Sequence, residues 1–102
     1  MAGAALKAHA ASVSADPSDT RNWLGYARAA SEAGNDEDSD DYSGKTKLRA
    51  RALAAAYQAY LKAKNPTDEA SALSFLGEAY VAQSEWRPAL EAYRASLGIK
   101  DE

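Results

Sequence analysis

The chain has 102 residues, the size of one domain or a piece of one, with 46% apolar and 26% charged residues and a net charge of −3. It has no cysteine, so disulfides, thiolate metal sites and cysteine nucleophiles are excluded. It has no long basic block to mark a nucleic-acid footprint, and no apolar run near the ~20 residues that cross a bilayer.

Twenty-five residues are alanine, against nine leucines, two valines, one isoleucine and one phenylalanine. Alanine is the best helix former and β-branched residues are scarce, so an all-α fold is expected. So few large side chains cannot fill a thick core. Thin layers of closely approaching helices suit them.

The first helix is expected over about 3–14, with Leu6, His9, Ala10 and Val13 at helical spacing. Its stretch "MAGAALKAHAASVSADP" is interrupted by Lys7 and His9 and lacks the continuous core of a signal peptide. The expectation is a cytosolic protein, or one whose export signal lies outside this chain. "DPSD" at 16–19 then reads as a helix start, with Asp16 as cap, Pro17 at the first helical position and Asp19 at the positive end of the dipole. The second helix follows over about 17–33, ending at Gly34.

"NDEDSDDYSG", 35–44, holds five acidic residues in ten and reads as a solvated loop. Asp36, Asp38 and Asp40 have the alternate spacing of a calcium loop. Such a loop needs Gly at its sixth position and Glu at its twelfth, where this chain has Asp41 and Lys47. The basic run Lys45, Lys47, Arg49, Arg51 follows, balanced by the preceding acids. Phosphate or acidic-peptide binding there is the minor reading.

A third helix is expected over about 44–64. Its stretch "ALAAAYQAYL" (52–61) is apolar nearly all round, which predicts burial between neighbours. "NPTD" at 65–68 repeats the earlier start signal with Asn65 as cap and Pro66 first. It opens a fourth helix over about 66–83. The fifth runs over about 85–98 with Gly98 as its stop, and its stripe is Trp86, Ala89, Leu90, Tyr93 and Leu97.

Glycine in the interior of the fourth helix, at "FLGEAY" (75–80), costs about 1 kcal/mol relative to alanine. Close approach of another helix explains it. The order Leu73, Leu76-Gly77, Tyr80, Trp86, Ala89, Tyr93, Ser96 resembles the tetratricopeptide repeat, whose unit sets small residues where its two helices cross. On that resemblance Gly77 faces Ala89, with Leu76, Tyr80 and Tyr93 closing round the contact. The frame extends back through Trp23, Tyr26, Ala27 and Ala30, and through Ala56, Tyr60 and Ala63. Ala27, not Gly25, holds the small position there. Ala5, His9, Ser12 and Pro17 fit the second half of a still earlier unit, and His9 takes an aromatic place. The expected architecture is therefore a single domain, 1–102, of antiparallel helix pairs in a right-handed solenoid fragment. It comprises a half repeat (1–17), an expanded repeat (18–65) and a near-standard repeat (66–100). The missing first half suggests a piece of a longer protein.

A narrower resemblance rests on "WLGYARA" (23–29), the acidic insertion, "AAAYQAY" (54–60) and "WRPALEAYRASL" (86–97). These look like the helical segment near the N-terminus of bacterial alpha-2-macroglobulin-like proteins, envelope proteins that trap proteases. The reactive thioester of that family needs a Cys-Gly-Glu-Gln motif, which this chain lacks. The resemblance implies an accessory or docking role in the periplasm or cell envelope. The alternative is a free-standing cytosolic adaptor that binds a peptide. An upstream signal peptide and a long β-rich continuation in the gene would favour the first.

In tetratricopeptide repeats the first helices line a concave groove for an extended peptide or a partner helix. By this frame the groove positions are Arg21, Leu24, Arg28, Ser74, Phe75 and Glu78. Leu24 and Arg28 replace the Lys and Asn that clamp a terminal carboxylate in the chaperone-binding class, so chaperone tails are not the expected ligand. Phe75 lies off the Leu73–Leu76–Tyr80 stripe and is expected to be exposed on the inner surface. The aromatics Trp23, Tyr26, Tyr57, Tyr60, Tyr80, Trp86 and Tyr93 are assigned chiefly to the core. His9 has no serine motif such as G-x-S-x-G to serve, and Glu78 and Glu85, seven apart, both fit an exposed face. No catalytic constellation is assembled, so no enzyme, cofactor or metal is expected. The expected partner is a protein or peptide, or another domain of a longer parent chain.

Overall fold

A computed structural model describes residues 2–34 and 42–100, with side chains from 4 to 34 and from 44 to 99. Five α-helices form, and no strand occurs among the described residues: α1 (Ala2–Ala15), α2 (Thr20–Gly34), α3 (Tyr42–Lys62), α4 (Pro66–Ala82) and α5 (Trp86–Lys100). Each helix packs on the next in sequence, and α2 also packs on α4. The backbones of α1 and α3 do not meet, nor do those of α3 and α5. The molecule is thin, with extents of 43 × 33 × 16 Å.

The stripe read for α1 holds. Leu6, His9, Ala10 and Val13 are half-buried and the rest of the described α1 side chains are exposed. The two proline turns behave differently. Asn65 caps α4: its Oδ1 accepts the Asp68 N–H at 2.8 Å and its Nδ2 donates to the Asp68 carboxylate at 3.1 Å. Pro66 takes the first position, and Asp68 and Glu69 stand in the first turn. At "DPSD" the expected cap moves three residues on. α2 begins at Thr20, and the Asp19 carboxylate accepts the Arg21 N–H at 2.9 Å. Asp16 instead accepts the Ser18 hydroxyl at 2.7 Å and its N–H at 3.3 Å, closing a turn. The α2 side chains hold that turn in place. Trp23 Nε1 donates to the Pro17 carbonyl at 2.7 Å, and Asn22 Nδ2 donates to the carbonyls of Ser12 and Asp16.

Other boundaries shift too. Residues 42 and 43, expected in the loop, already belong to α3. Gly98 does not stop α5, which continues to Lys100. α4 closes on a Schellman pattern, with Glu85 N–H to Tyr80 O at 2.9 Å and Ser84 N–H to Val81 O at 2.9 Å. The left-handed residue is Ser84, at φ 60°, where glycine is the usual choice.

The core is a seam of small residues around a few large ones. Leu73, Phe75 and Leu76 of α4 are buried against Ala27 of α2, Ala55 and Ala56 of α3 and Ala92 of α5. Burial of each large side chain contributes about 1.5–3 kcal/mol. Phe75, expected at the inner surface, is only 9% exposed and belongs to this cluster. The wide burial expected for α3 is also corrected. Ala52, Ala55, Ala56 and Ala59 face the core, but Tyr57 (48%) and Leu61 are exposed. Trp86, assigned to the core, is 64% exposed. In both cases helical spacing marks an apolar face, but no neighbouring helix among the described residues covers it.

Gly77 is buried at the α4–α5 contact. A Cβ built there would stand 2.9–3.0 Å from three ring atoms of Tyr93. The close approach is therefore made by the Tyr93 ring lying on the glycine, where the sequence pointed first to Ala89. Ala89 is buried on the same helix. Gly25 has the same function between α1 and α2, since its Cβ would fall 2.7 Å from His9 Nδ1. The His9 ring thus packs on Gly25.

Candidate docking groove

Arg21, Leu24 and Arg28 recur at i, i+3 and i+7, so they share one face of α2. Ser71, Ser74, Phe75 and Glu78 do the same on α4. Because α2 and α4 are in contact, these two faces border a common depression of about 360 Å³, lined by Leu24, Arg28, Ser71, Ser74, Phe75 and Glu78. Five of the six residues singled out in the sequence therefore come together. Arg21 is exposed but does not line the depression. Ser71 was missed, although it lies one turn before Ser74 and Phe75 and the same helical spacing reaches it.

The chemistry of the depression is mixed. The Arg28 guanidinium lies 6.0 Å from the centre of the Phe75 ring, so the ring forms part of the floor although it is nearly buried. Such a cation–π contact is worth about 0.5–1 kcal/mol at an exposed site, and it holds the charge in place. Glu78 supplies a carboxylate on the α4 wall, and the two serines supply hydroxyls. Burial raises the pKa of the neighbouring Tyr93 hydroxyl above its ordinary value, and the Glu78 charge adds to the rise. A cation, an anion, two hydroxyls and an apolar floor can orient a peptide.

The remaining candidates are dispersed. Two members of the basic run, Arg49 and Arg51, line different surfaces. Arg51 lines a separate groove between α1 and α3 with Trp23, Tyr26 and Val13, whereas Arg49 lies by Gln83 and Ser84 at the α4–α5 turn. Glu78 and Glu85 are both exposed. Asp36, Asp38, Asp40 and Asp41 lie outside the described residues. Among the described residues, no three His, Asp or Glu side chains converge as a metal site would require, and no helix is long and apolar enough to cross a membrane.

One meeting was not read from the sequence. The two proline turns come together at the same end of the molecule, where Asp16, Ser18 and Asp19 face Lys62, Lys64 and Asn65. The Ser18 hydroxyl and N–H hold the Asp16 carboxyl below its usual range, and Lys64 contributes. The repeated motif itself was the available signal, since similar turns in successive helix pairs fall side by side. Compared with known protein families, with curated proteins and with solved structures, the chain matches none.

Proposed function

We propose that the chain is a non-catalytic, tetratricopeptide-like docking scaffold, and that its α2/α4 groove receives an extended peptide or a partner helix. The observation that carries this reading is the convergence of Leu24, Arg28, Ser74, Phe75 and Glu78 on one depression, with Arg28 set over Phe75. Recognition would combine the apolar floor with opposite charges on the two walls, which favours a ligand whose own charges alternate.

We further propose that the scaffold is an accessory segment of a bacterial alpha-2-macroglobulin-like protease-trapping protein of the periplasm or envelope. The support is the resemblance in 23–29, 54–60 and 86–97. Without a cysteine the segment would dock and would not trap. A free-standing cytosolic adaptor would use the same groove, and the reading frame around this coding segment separates the two.

The test is a selection from a random displayed-peptide library on the wild-type chain. Selected peptides are expected to bind Arg28→Glu about tenfold more weakly or worse, and to bind Arg51→Glu unchanged, because Arg51 lines a different groove. Binders indifferent to Arg28→Glu, or no binders at all, would overturn the groove reading.

A further inference from the structure

Helices α1 and α3 flank α2 without meeting, and the space between them is a groove of about 430 Å³. That is within the range of about 300–1,000 Å³ usual for small-molecule sites. Trp23 and Tyr26 of α2 form its floor, Ala10 and Val13 of α1 one wall, and Ala54 of α3 the other. The Nε1 bond to the Pro17 carbonyl fixes the Trp23 ring, so an aromatic surface is in place before any ligand arrives. The polar groups stand at two ends. Thr20 bonds to Ala59 and Asn22 to Ser12, so the start of α2 lies beside the ends of α1 and α3. Ser14 and Gln58 therefore stand at the Trp23 end of the groove. Arg51 stands at the Tyr26 end, about 10 Å from Gln58 along α3.

Among the described residues, Arg51 is the one charged side chain lining this groove. Neither α1 nor α3 contains an acidic residue. Glu32, the acid of α2, stands about 180° round that helix from Trp23. Asp16 and Asp19, in the turn between α1 and α2, line a separate pocket with Lys62 and Lys64. A cation at one end of an apolar trough, with no described carboxylate lining it, complements an anion that carries an apolar body. We infer that the groove is a site for a small aromatic carboxylate, its acid paired with Arg51 and its ring laid on Trp23 between α1 and α3. A guanidinium can take a carboxylate through two parallel hydrogen bonds, and an aromatic floor favours an aromatic guest. The length of the walls selects a small molecule. The lining covers about two turns of α3 and one of α1, too little to seat a helix. Leu24 and Arg28 of the α2/α4 groove do not line this one, so the two sites are independent.

The test is a titration of the full chain with naphthylacetate, followed by NMR of its two indole N–H groups, those of Trp23 and Trp86. Trp23 is expected to shift saturably, with half-saturation below about 1 mM, while Trp86 stays in place as the internal control. Uncharged naphthylacetamide is expected to bind about tenfold more weakly. Arg51→Gln is expected to weaken the acid to the level of the amide and to leave the amide unchanged, a pattern that a general loss of structure would not give. Ala54→Trp fills the groove from an exposed position and is expected to abolish binding of both. Arg28→Glu, in the other groove, is expected to leave both unchanged. Native helicity by circular dichroism confirms that each variant is folded. Absence of saturation, equal shifts at Trp23 and Trp86, equal affinities for acid and amide, acid binding indifferent to Arg51→Gln, or binding lost in Arg28→Glu would each overturn the inference. So would tighter binding of an acetylated Glu-Phe amide than of naphthylacetate, which would make the groove an acidic-peptide site.

Discussion

The pairs α2–α3 and α4–α5 close in two different ways. Each is pinned by one buried hydroxyl that donates across the seam to a backbone carbonyl, but the polarity is reversed. In the first, Thr20 at the start of the leading helix donates to Ala59 of α3 at 3.1 Å. In the second, Ser96 on the trailing helix donates to Ala70 at the start of α4 at 3.0 Å. The seams also differ. Methyl groups of Ala27, Ala30, Ala56 and Ala59, all fully buried, fill the first. The second sets one aromatic ring on one glycine. Buried alanines, Ala79, Ala89 and Ala92, line the second seam too, and the ring set on the glycine is the tight contact that it adds. Sensitivity to substitution is therefore spread along α2–α3 and concentrated at Gly77 in α4–α5.

The sharpest way to break the contrast is Gly77→Leu. It drives a side chain into the Tyr93 ring and is expected to cost about 3 kcal/mol, against about 1 kcal/mol for Ala27→Gly in the other seam. Thermal midpoints of the two variants test this, and equal losses would mean that Gly77 is not a point of concentration. Gly98→Ala is the control, since a Cβ there meets nothing within 4 Å. It should leave the midpoint unchanged or slightly raised.

The hydroxyl pins come next. Thr20→Val and Ser96→Ala should each cost about 1 kcal/mol by denaturant titration. A much larger loss at Ser96 would show that the single-ring seam leans harder on its pin. Smaller still is a gain. Ser84→Gly relieves the left-handed residue in the α4–α5 turn and should add about 0.5–1 kcal/mol without touching α2–α3.

The last test is one of pH. The Tyr93 hydroxyl holds its proton more tightly in the folded chain than in the unfolded one. Its contribution is therefore fully present below the ordinary tyrosine pKa and is lost as pH rises through the raised value. Tyr93→Phe keeps the ring on Gly77 and should flatten the alkaline limb of a stability–pH curve. An unchanged limb would assign that loss to other groups.

Helix number and order were legible because alanine content, spacing and two proline turns all point the same way. The turns show where legibility ends. "DPSD" and "NPTD" carry the same local chemistry, yet only Asn65 caps where expected. At Asp16 the outcome is set by Trp23 and Asn22, which reach back from α2 to carbonyls of the α1 end and the turn. That is tertiary context, absent from four letters. Spacing likewise found the groove faces of α2 and α4, because residues three, four and seven apart share a side whatever surrounds them. It did not settle cover. Phe75 lies off its helix's stripe yet is buried; Trp86 and Tyr57 lie on apolar stripes yet are exposed. A stripe tells which atoms avoid water, not whether a neighbour is there to exclude it.

Every described side chain wholly screened from solvent is an alanine methyl. Denaturation thus brings less hydrocarbon into water than it does in a leucine-filled interior. Apolar hydration is what raises heat capacity on melting, by about 0.45 cal/K/mol for each Å² exposed. Calorimetry should accordingly find a modest heat-capacity step, and a free-energy curve that changes gently between chilled and warm conditions.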